Sequence, residues 1–149
     1  MRVATHEDVA EIVAAVRELL VELGGTPPTP SDMEDAARAL IEDPGAGTAL
    51  VAEAHGVLVG VLVASWQAAI HIPGQYALIQ DLWVHSSWRG GQVGSTMLTA
   101  LFDLARERHV ARVEVGLPRE HFAGISATES FYRANGFTPL GPRMRCVLE

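Results

Sequence analysis

The run Trp88-Arg89-Gly90-Gly91-Gln92-Val93-Gly94-Ser95 places three glycines where a strand-like segment, "YALIQDLWVH", gives way to a helix-like one, "VGSTMLTALFDLARERH". Backbone N–H groups at the mouth of a helix can hold an anion, and a missing side chain lets that anion come close. Three phosphate-binding readings compete. A dinucleotide fingerprint needs Gly-x-Gly-x-x-Gly early in a βαβ unit, and Gly90, Gly91 and Gly94 lack that spacing. A Walker A loop needs Gly-Lys-Ser/Thr, and neither Gly91 nor Gln92 is lysine. A pyrophosphate on successive amides at the helix start remains, with Arg89 as a charged contact to phosphate. Against these stands a plain glycine turn that only reverses the chain.

The elements that must position this turn can be read from periodicity. "RVAT" (2–5) suits a short strand, and Thr5 with Asp8 suits a helix start. Val9, Ile12, Val13, Val16, Leu20 and Leu23 follow at helical spacing, ended by Gly24-Gly25. Ser31 with Glu34 opens a second helix that runs to about Glu42. Segments 48–54 and 57–66 read as a hairpin turning at His55-Gly56, and 75–85 as another strand. A helix is expected from about Val93 to His109, with Met97, Leu98, Leu101, Phe102 and Ala105 on one face. A strand follows at 111–117, then a helix opened by Ser126 with Glu129 and stopped at Asn135-Gly136. "FTPL" and "RMRCVLE" read as short final strands. The order is β-α-α-β-β-β-α-β-α-β-β, a mixed α/β sheet without strict βαβ alternation.

The chain's 149 residues suit one domain, 1–149, and the stretch "GGTPPTP" is too short a linker to separate two. Apolar content of 48% with 19% charged residues fits a compact globule. A net charge of −7 argues against capture of nucleic acid by a basic face. The single cysteine, Cys146, excludes an internal disulfide and fits a reducing, cytoplasmic setting; it is expected to be packed in the last strand. No signal-like apolar core opens the chain and no apolar run reaches ~18 residues, so no membrane partner is expected. The six histidines lack metal-ligand spacing, so no metal is expected.

The turn resembles that of the GNAT superfamily of N-acetyltransferases, whose signature is Arg/Gln-x-x-Gly-x-Gly/Ala after a strand. Arg89 and Gly94 match, and Gln92 stands where the family usually has glycine. "FYRANGF" (131–137) looks like the family's Phe/Leu-Tyr-x-x-x-Gly-Phe segment. "RVATHEDVAEI" and "LVAEAHGVLVGVLVAS" look like its N-terminal half, so the resemblance covers nearly the whole chain. The family often has Asn seven residues and Ala four residues before the tyrosine; here those are Ile125 and Thr128. The resemblance implies a GNAT-like mixed, mostly antiparallel sheet of six to seven strands. About four helices would lie on both its faces, and one parallel strand pair would splay apart. It implies acetyl-CoA as co-substrate. The pyrophosphate would lie on amides of about Gln92, Val93, Gly94 and Ser95, beside Arg89, Gly90 and Gly91. The pantetheine arm would pair along Leu82, Trp83 and Val84. A homodimer is expected by analogy only.

Acetyl transfer to an amine sets the chemistry to look for. An alkyl amine of pKa ~10.4 is neutral in about one molecule per 2,000 at pH 7, an offset of roughly 4–5 kcal/mol, so a base or water relay is useful. Asp81, on the strand before the turn, is the first candidate, although an aspartate of pKa ~3.9 would need burial or a water chain. His85 and His121 suit the task by type, and Glu114 is a further candidate. Glu120 could attract a cationic substrate. Tyr132 matches the family's general acid for the leaving thiolate and adds to the cofactor contacts. A backbone N–H near Val84 would meet the oxyanion. Each of these residues also has an ordinary structural reading: a solvated strand aspartate, capping histidines, a packed tyrosine. Trp66, Trp83 and Trp88 read as core or pocket wall.

The expected function is transfer of acetyl to a primary amine of a small molecule by direct attack in a ternary complex. Alternatives are a non-catalytic acyl-CoA-binding or regulatory module, and a protein lysine or N-terminal acetyltransferase. Segments 22–33, "WQAAIHIPGQ" and "LPREHFAGIS" would shape the acceptor pocket, and they carry no recognisable substrate pattern.

Overall fold

A computed structural model describes residues 1–119 and 122–148. In chain order the elements are β1 (Arg2–Val3), α1 (Val9–Glu22), α2 (Pro30–Glu42), β2 (Gly47–Ala54), β3 (Val57–Ala68), β4 (Gln75–Val84), α3 (Val93–Glu107), β5 (Val113–Val115) and α4 (Ile125–Ala134). The strands form one sheet in the order β1-β2-β3-β4-β5. All neighbours are antiparallel except β4 and β5, which run parallel.

Each face of the sheet carries its own apolar cluster. Met97, Leu98, Leu101 and Ala105 form one stripe of α3 and bury against Leu62, Ala64, Ala77 and Ile79. Burying each leucine stabilises by about 1.5–3 kcal/mol. On the other face, Ile12 and Ala15 of α1 cover Val51, Val61 and Trp83. The entry to α1 is fixed as the sequence suggests. The Thr5 N–H donates to Asp8 Oδ2 at 2.7 Å, and Arg2 grips the Asp8 carboxylate through two N–H groups at 2.7 and 2.8 Å. The Arg2 guanidinium holds the Asp8 carboxyl down to about 2.

A bulge in β4 decides the geometry of the centre. Val63 faces Asp81, but the next residue, Ala64, faces Ile79, so Gln80 has no partner on β3. The extra residue exchanges the two faces of the strand. Ala77 and Ile79 point to the α3 face, whereas Trp83, three pairs further on, packs under α1.

Several expectations are corrected. The sheet has five strands among the described residues rather than six or seven. Residues 137–140 and 143–148 form no strand. Pro139 and Pro142 remove backbone donors there, Gly141 sits at φ 134°, and no described strand supplies a ladder. Cys146 is exposed rather than packed. The second helix is capped by Thr29, whose hydroxyl accepts from the Asp32 N–H at 3.2 Å, with Pro30 as its first residue rather than Ser31 as its cap. Ser126 lies inside α4, which starts after Gly124. No described helix is long and apolar enough to cross a membrane.

Candidate functional site

Parallel pairing of β4 with β5 covers only three residue pairs, Ala77–Val113, Leu78–Glu114 and Ile79–Val115. Beyond Ile79 the β5-side edge of β4 has no strand partner among the described residues, so the two strands form a fork that opens at the bulge. Backbone groups alternate in direction along a strand. The His85 N–H points back to β3, donating to the Val59 carbonyl at 2.8 Å. The N–H and C=O groups of Leu82 and Val84 therefore face the open edge. Before the bulge the parity is reversed: the Ala77 N–H donates outward to the Arg112 carbonyl at 2.9 Å.

The glycine turn closes the far end of this edge. After β4 a short 3-10 turn over Ser86–Trp88 leads to Gly90, which takes φ 78°, a conformation that glycine adopts without strain. Helix α3 then begins without a side-chain cap. Its first intrahelical bond runs from the Thr96 N–H to the Gln92 carbonyl at 2.9 Å, so the Val93, Gly94 and Ser95 amides have no partner within the helix. Gly94 is required by packing. A Cβ there would stand 2.9 Å from Cζ of Phe131 and 3.8 Å from Cγ2 of Val84. The end of β4, the start of α3 and α4 thus meet at one point.

Arg89 has other partners than a phosphate. Its guanidinium grips both oxygens of Glu22, at the end of α1, at 2.7 and 2.8 Å, and its Nε–H donates to the Val84 carbonyl at 2.9 Å. Donating to the Glu22 carboxylate raises its pKa further.

Tyr132 is delivered by α4 into the cluster on the α3 face, 7% exposed and edge-on to both Phe131 and Phe137. Burial pushes its phenol up to about 12, so it stays protonated and able to donate at neutral pH. Its hydroxyl has no hydrogen-bond partner among the described residues.

Asp81 lies on the opposite face, beside the fork. It is half-buried, and burial raises its carboxyl above the ordinary aspartate value. It makes no hydrogen bond or ion pair among the described residues. Around it runs a polar strip that the sequence reading missed. The Gln80 and Gln67 amides both donate to the Ser65 hydroxyl, at 2.9 and 2.8 Å. That leaves the Ser65 O–H free to donate. Glu114 is also on this side, because its neighbours Val113 and Val115 pack on the α3 face. It is 3.8 Å from Arg112. The adjacent polar pair Gln80-Asp81 inside an apolar strand was the available signal for both bulge and strip.

His85 has a local role. Its Nδ1 accepts from the Ser87 N–H at 3.1 Å and caps the 3-10 turn, while its ring stands edge-on to Trp83 at 5.9 Å. Trp66 and Trp83 are buried, and Trp88 is 41% exposed. His121 and Glu120 lie outside the described residues. The arrangement can hold an extended chain along β4 that ends in an anion at α3, with a phenol on one face and a carboxylate on the other.

The family model for the GNAT acetyltransferase family matches residues 13–137. No curated protein matches the chain by sequence. Among solved structures, an aminoglycoside antibiotic 6'-N-acetyltransferase from Acinetobacter haemolyticus is similar, with 10% identity, 99% and 97% of the two chains covered and a TM-score of 0.79. A ribosomal-protein-alanine N-acetyltransferase from Brucella melitensis biovar Abortus 2308 has 18% identity, 99% and 96% coverage and a TM-score of 0.73. A predicted acetyltransferase with acetyl-CoA from Clostridium acetobutylicum has 14% identity, 98% and 94% coverage and a TM-score of 0.81. These three structures share the fold.

Proposed function

The chain belongs to the GNAT acetyltransferase family, and we propose that it moves the acetyl group of acetyl-CoA to a primary amine of a small molecule by direct attack. The observation that carries this reading is the fork. The β5-side edge of β4 opens at the bulge, turns Leu82 and Val84 outward, and runs toward the uncapped start of α3.

Acetyl-CoA would supply an acyl carbon already activated as a thioester. Leu82 and Val84 would hold the amide-bearing arm by backbone pairing, and the Val93, Gly94 and Ser95 amides would hold the pyrophosphate. The Val84 N–H would face the carbonyl oxygen where negative charge develops. Asp81 would take the amine's proton, directly or through water, as the N–C bond forms. Burial moves its pKa toward the working range of a base. The Tyr132 O–H would donate to sulfur as the C–S bond breaks. The products are an N-acetyl amine and the CoA thiol. The two groups approach from opposite faces of the sheet, so acid and base do not neutralise each other.

The test is thiol release from acetyl-CoA across a panel of small primary amines. The expected result is amine-dependent release that falls about 10²-fold in kcat for Tyr132→Phe, with acetyl-CoA affinity unchanged. Full turnover in that variant would remove the tyrosine from the mechanism. Acetyl-CoA binding without transfer to any amine would favour a non-catalytic acyl-CoA module. Transfer only to peptides would favour a protein acetyltransferase.

A further inference from the structure

The Val84 carbonyl is one of the outward groups at the open end of β4, because the next N–H, that of His85, turns back to the Val59 carbonyl on β3. That carbonyl is already engaged. The Arg89 Nε–H donates to it at 2.9 Å. A chain that pairs along β4 as far as Val84 must therefore compete with a side chain of the glycine turn.

Arg89 is not held there by that bond alone. Its two terminal nitrogens close on the two carboxylate oxygens of Glu22, at 2.7 and 2.8 Å. A bidentate fork fixes a guanidinium in direction as well as in position. Glu22 is the last residue of α1, and α1 is itself held on the sheet by Ile12 and Ala15. The end of α1 thus clamps Arg89 across the edge that an extended ligand would use. Glu18, one turn earlier, acts on Arg89 only through its field and makes no hydrogen bond to it among the described residues.

We infer that Glu22 is a positioning residue that acts through Arg89: it latches the guanidinium onto the Val84 carbonyl, and the amide-bearing arm of acetyl-CoA gains that carbonyl only by displacing it. The inference rests on the acetyl-CoA reading above. The arm brings amide N–H groups that can replace Nε–H as donors to Val84. Arg89, once released, can turn its charge to the pyrophosphate. The latch therefore lowers affinity for the arm and returns part of it through the phosphates. A whole cofactor opens it more readily than a phosphate-free fragment.

The probe that separates these two parts is S-acetylpantetheine, which carries the arm and the acetyl group without phosphate or charge. Binding is followed in ¹H–¹⁵N correlation spectra, with the Arg89 Nε–H peak assigned by its loss in Arg89→Ala. The ligand should shift that peak saturably. Glu22→Gln should bind it about 3-fold more tightly, the scale of a half-exposed ion pair. Arg89→Ala should gain at least as much. Glu18→Gln removes the same charge one turn away and should leave affinity unchanged. Raising salt from about 0.05 to about 0.5 M should narrow the gap between the unaltered protein and Glu22→Gln, because the exposed pair is screened. Equal or weaker binding in Glu22→Gln, or an equal gain in Glu18→Gln, overturns the inference. So does weaker binding in Arg89→Ala with its other amide peaks in place. Acetyl-CoA is titrated alongside. If it binds and Glu22→Gln gains no more than Glu18→Gln, the latch alone fails. If neither ligand binds any form, the acetyl-CoA reading fails and the latch with it.

Discussion

The two faces of β4 differ in what they contain and in what they can afford to lose. On the α3 side, Ala77, Ile79, Leu98, Leu101 and the ring of Tyr132 are closed into one apolar cluster. On the other side, around the bulge, Ser65, Gln67, Gln80, Asp81 and Glu114 stay partly accessible and polar. One unpaired residue, Gln80, creates this contrast by exchanging the strand's faces just where β5 leaves it. The closed face is packed, and the open one keeps its polar side chains within reach of solvent. A site between them can take a phenol from a dry environment and a carboxylate from a wet one.

The contrast makes graded predictions. The largest effect should come from Leu101→Ala, which removes a fully buried side chain and should cost about 2–5 kcal/mol in denaturant unfolding. Gln80→Ala, on the open face, should stay within about 1 kcal/mol; an equal loss at both sites would break the comparison. Gly94→Ala comes next. Its methyl group would press on the Phe131 ring, and strain of about 1–3 kcal/mol is expected, with weaker acetyl-CoA binding as α4 is pushed from the start of α3.

Asp81→Asn separates stability from function. Burial raises the folded-state pKa of Asp81, so the folded state favours its neutral form. Its contribution is favourable below the ordinary aspartate value of ~3.9 and is lost as pH rises through the raised folded value. Asparagine should therefore raise the melting temperature at pH 7, with the difference disappearing in acid, while acetyl transfer falls. A melting temperature that drops at pH 7 would show that the aspartate is held by a partner. The smallest effect is expected for Glu22→Gln. The half-exposed pair with Arg89 should contribute under about 1 kcal/mol to stability. Freeing Arg89 from Glu22 should tighten acetyl-CoA binding a few-fold as the guanidinium becomes available to phosphate, measured by calorimetry at low and high salt.

Much of the closed face was legible in the sequence. The spacing of Met97, Leu98, Leu101 and Ala105 marks the buried stripe of α3, and Thr5 with Asp8 marks the entry to α1. The glycine turn and "FYRANGF" were also readable, because both are local. What was misread depends on partners distant in sequence. Alternating residues near the C-terminus suggest a strand, but a strand forms only where a ladder receives it, and Pro139 and Pro142 break that stretch. Gln80-Asp81 reads as two polar residues in a row until Val63 and Ala64 show the skipped pairing. The Glu22–Arg89 contact joins residues 67 positions apart, and the Gln67–Ser65–Gln80 network needs two strands in register. Asp81 could be singled out as a candidate base from its place before the turn, while its burial could be seen only in the fold.

The central claim is that β4's open edge and α3's amides together hold acetyl-CoA. Calorimetric titration with acetyl-CoA, beside dephospho-CoA and ATP, tests it most directly. Dephospho-CoA keeps both the amide-bearing arm and the pyrophosphate, whereas ATP lacks the arm. The account predicts micromolar or tighter binding of acetyl-CoA, dephospho-CoA within about 10-fold of it, and ATP at least about 100-fold weaker, a gap of roughly 2.7 kcal/mol. No heat with acetyl-CoA, or ATP binding as tightly, would contradict it and leave the glycine run as a turn that only reverses the chain.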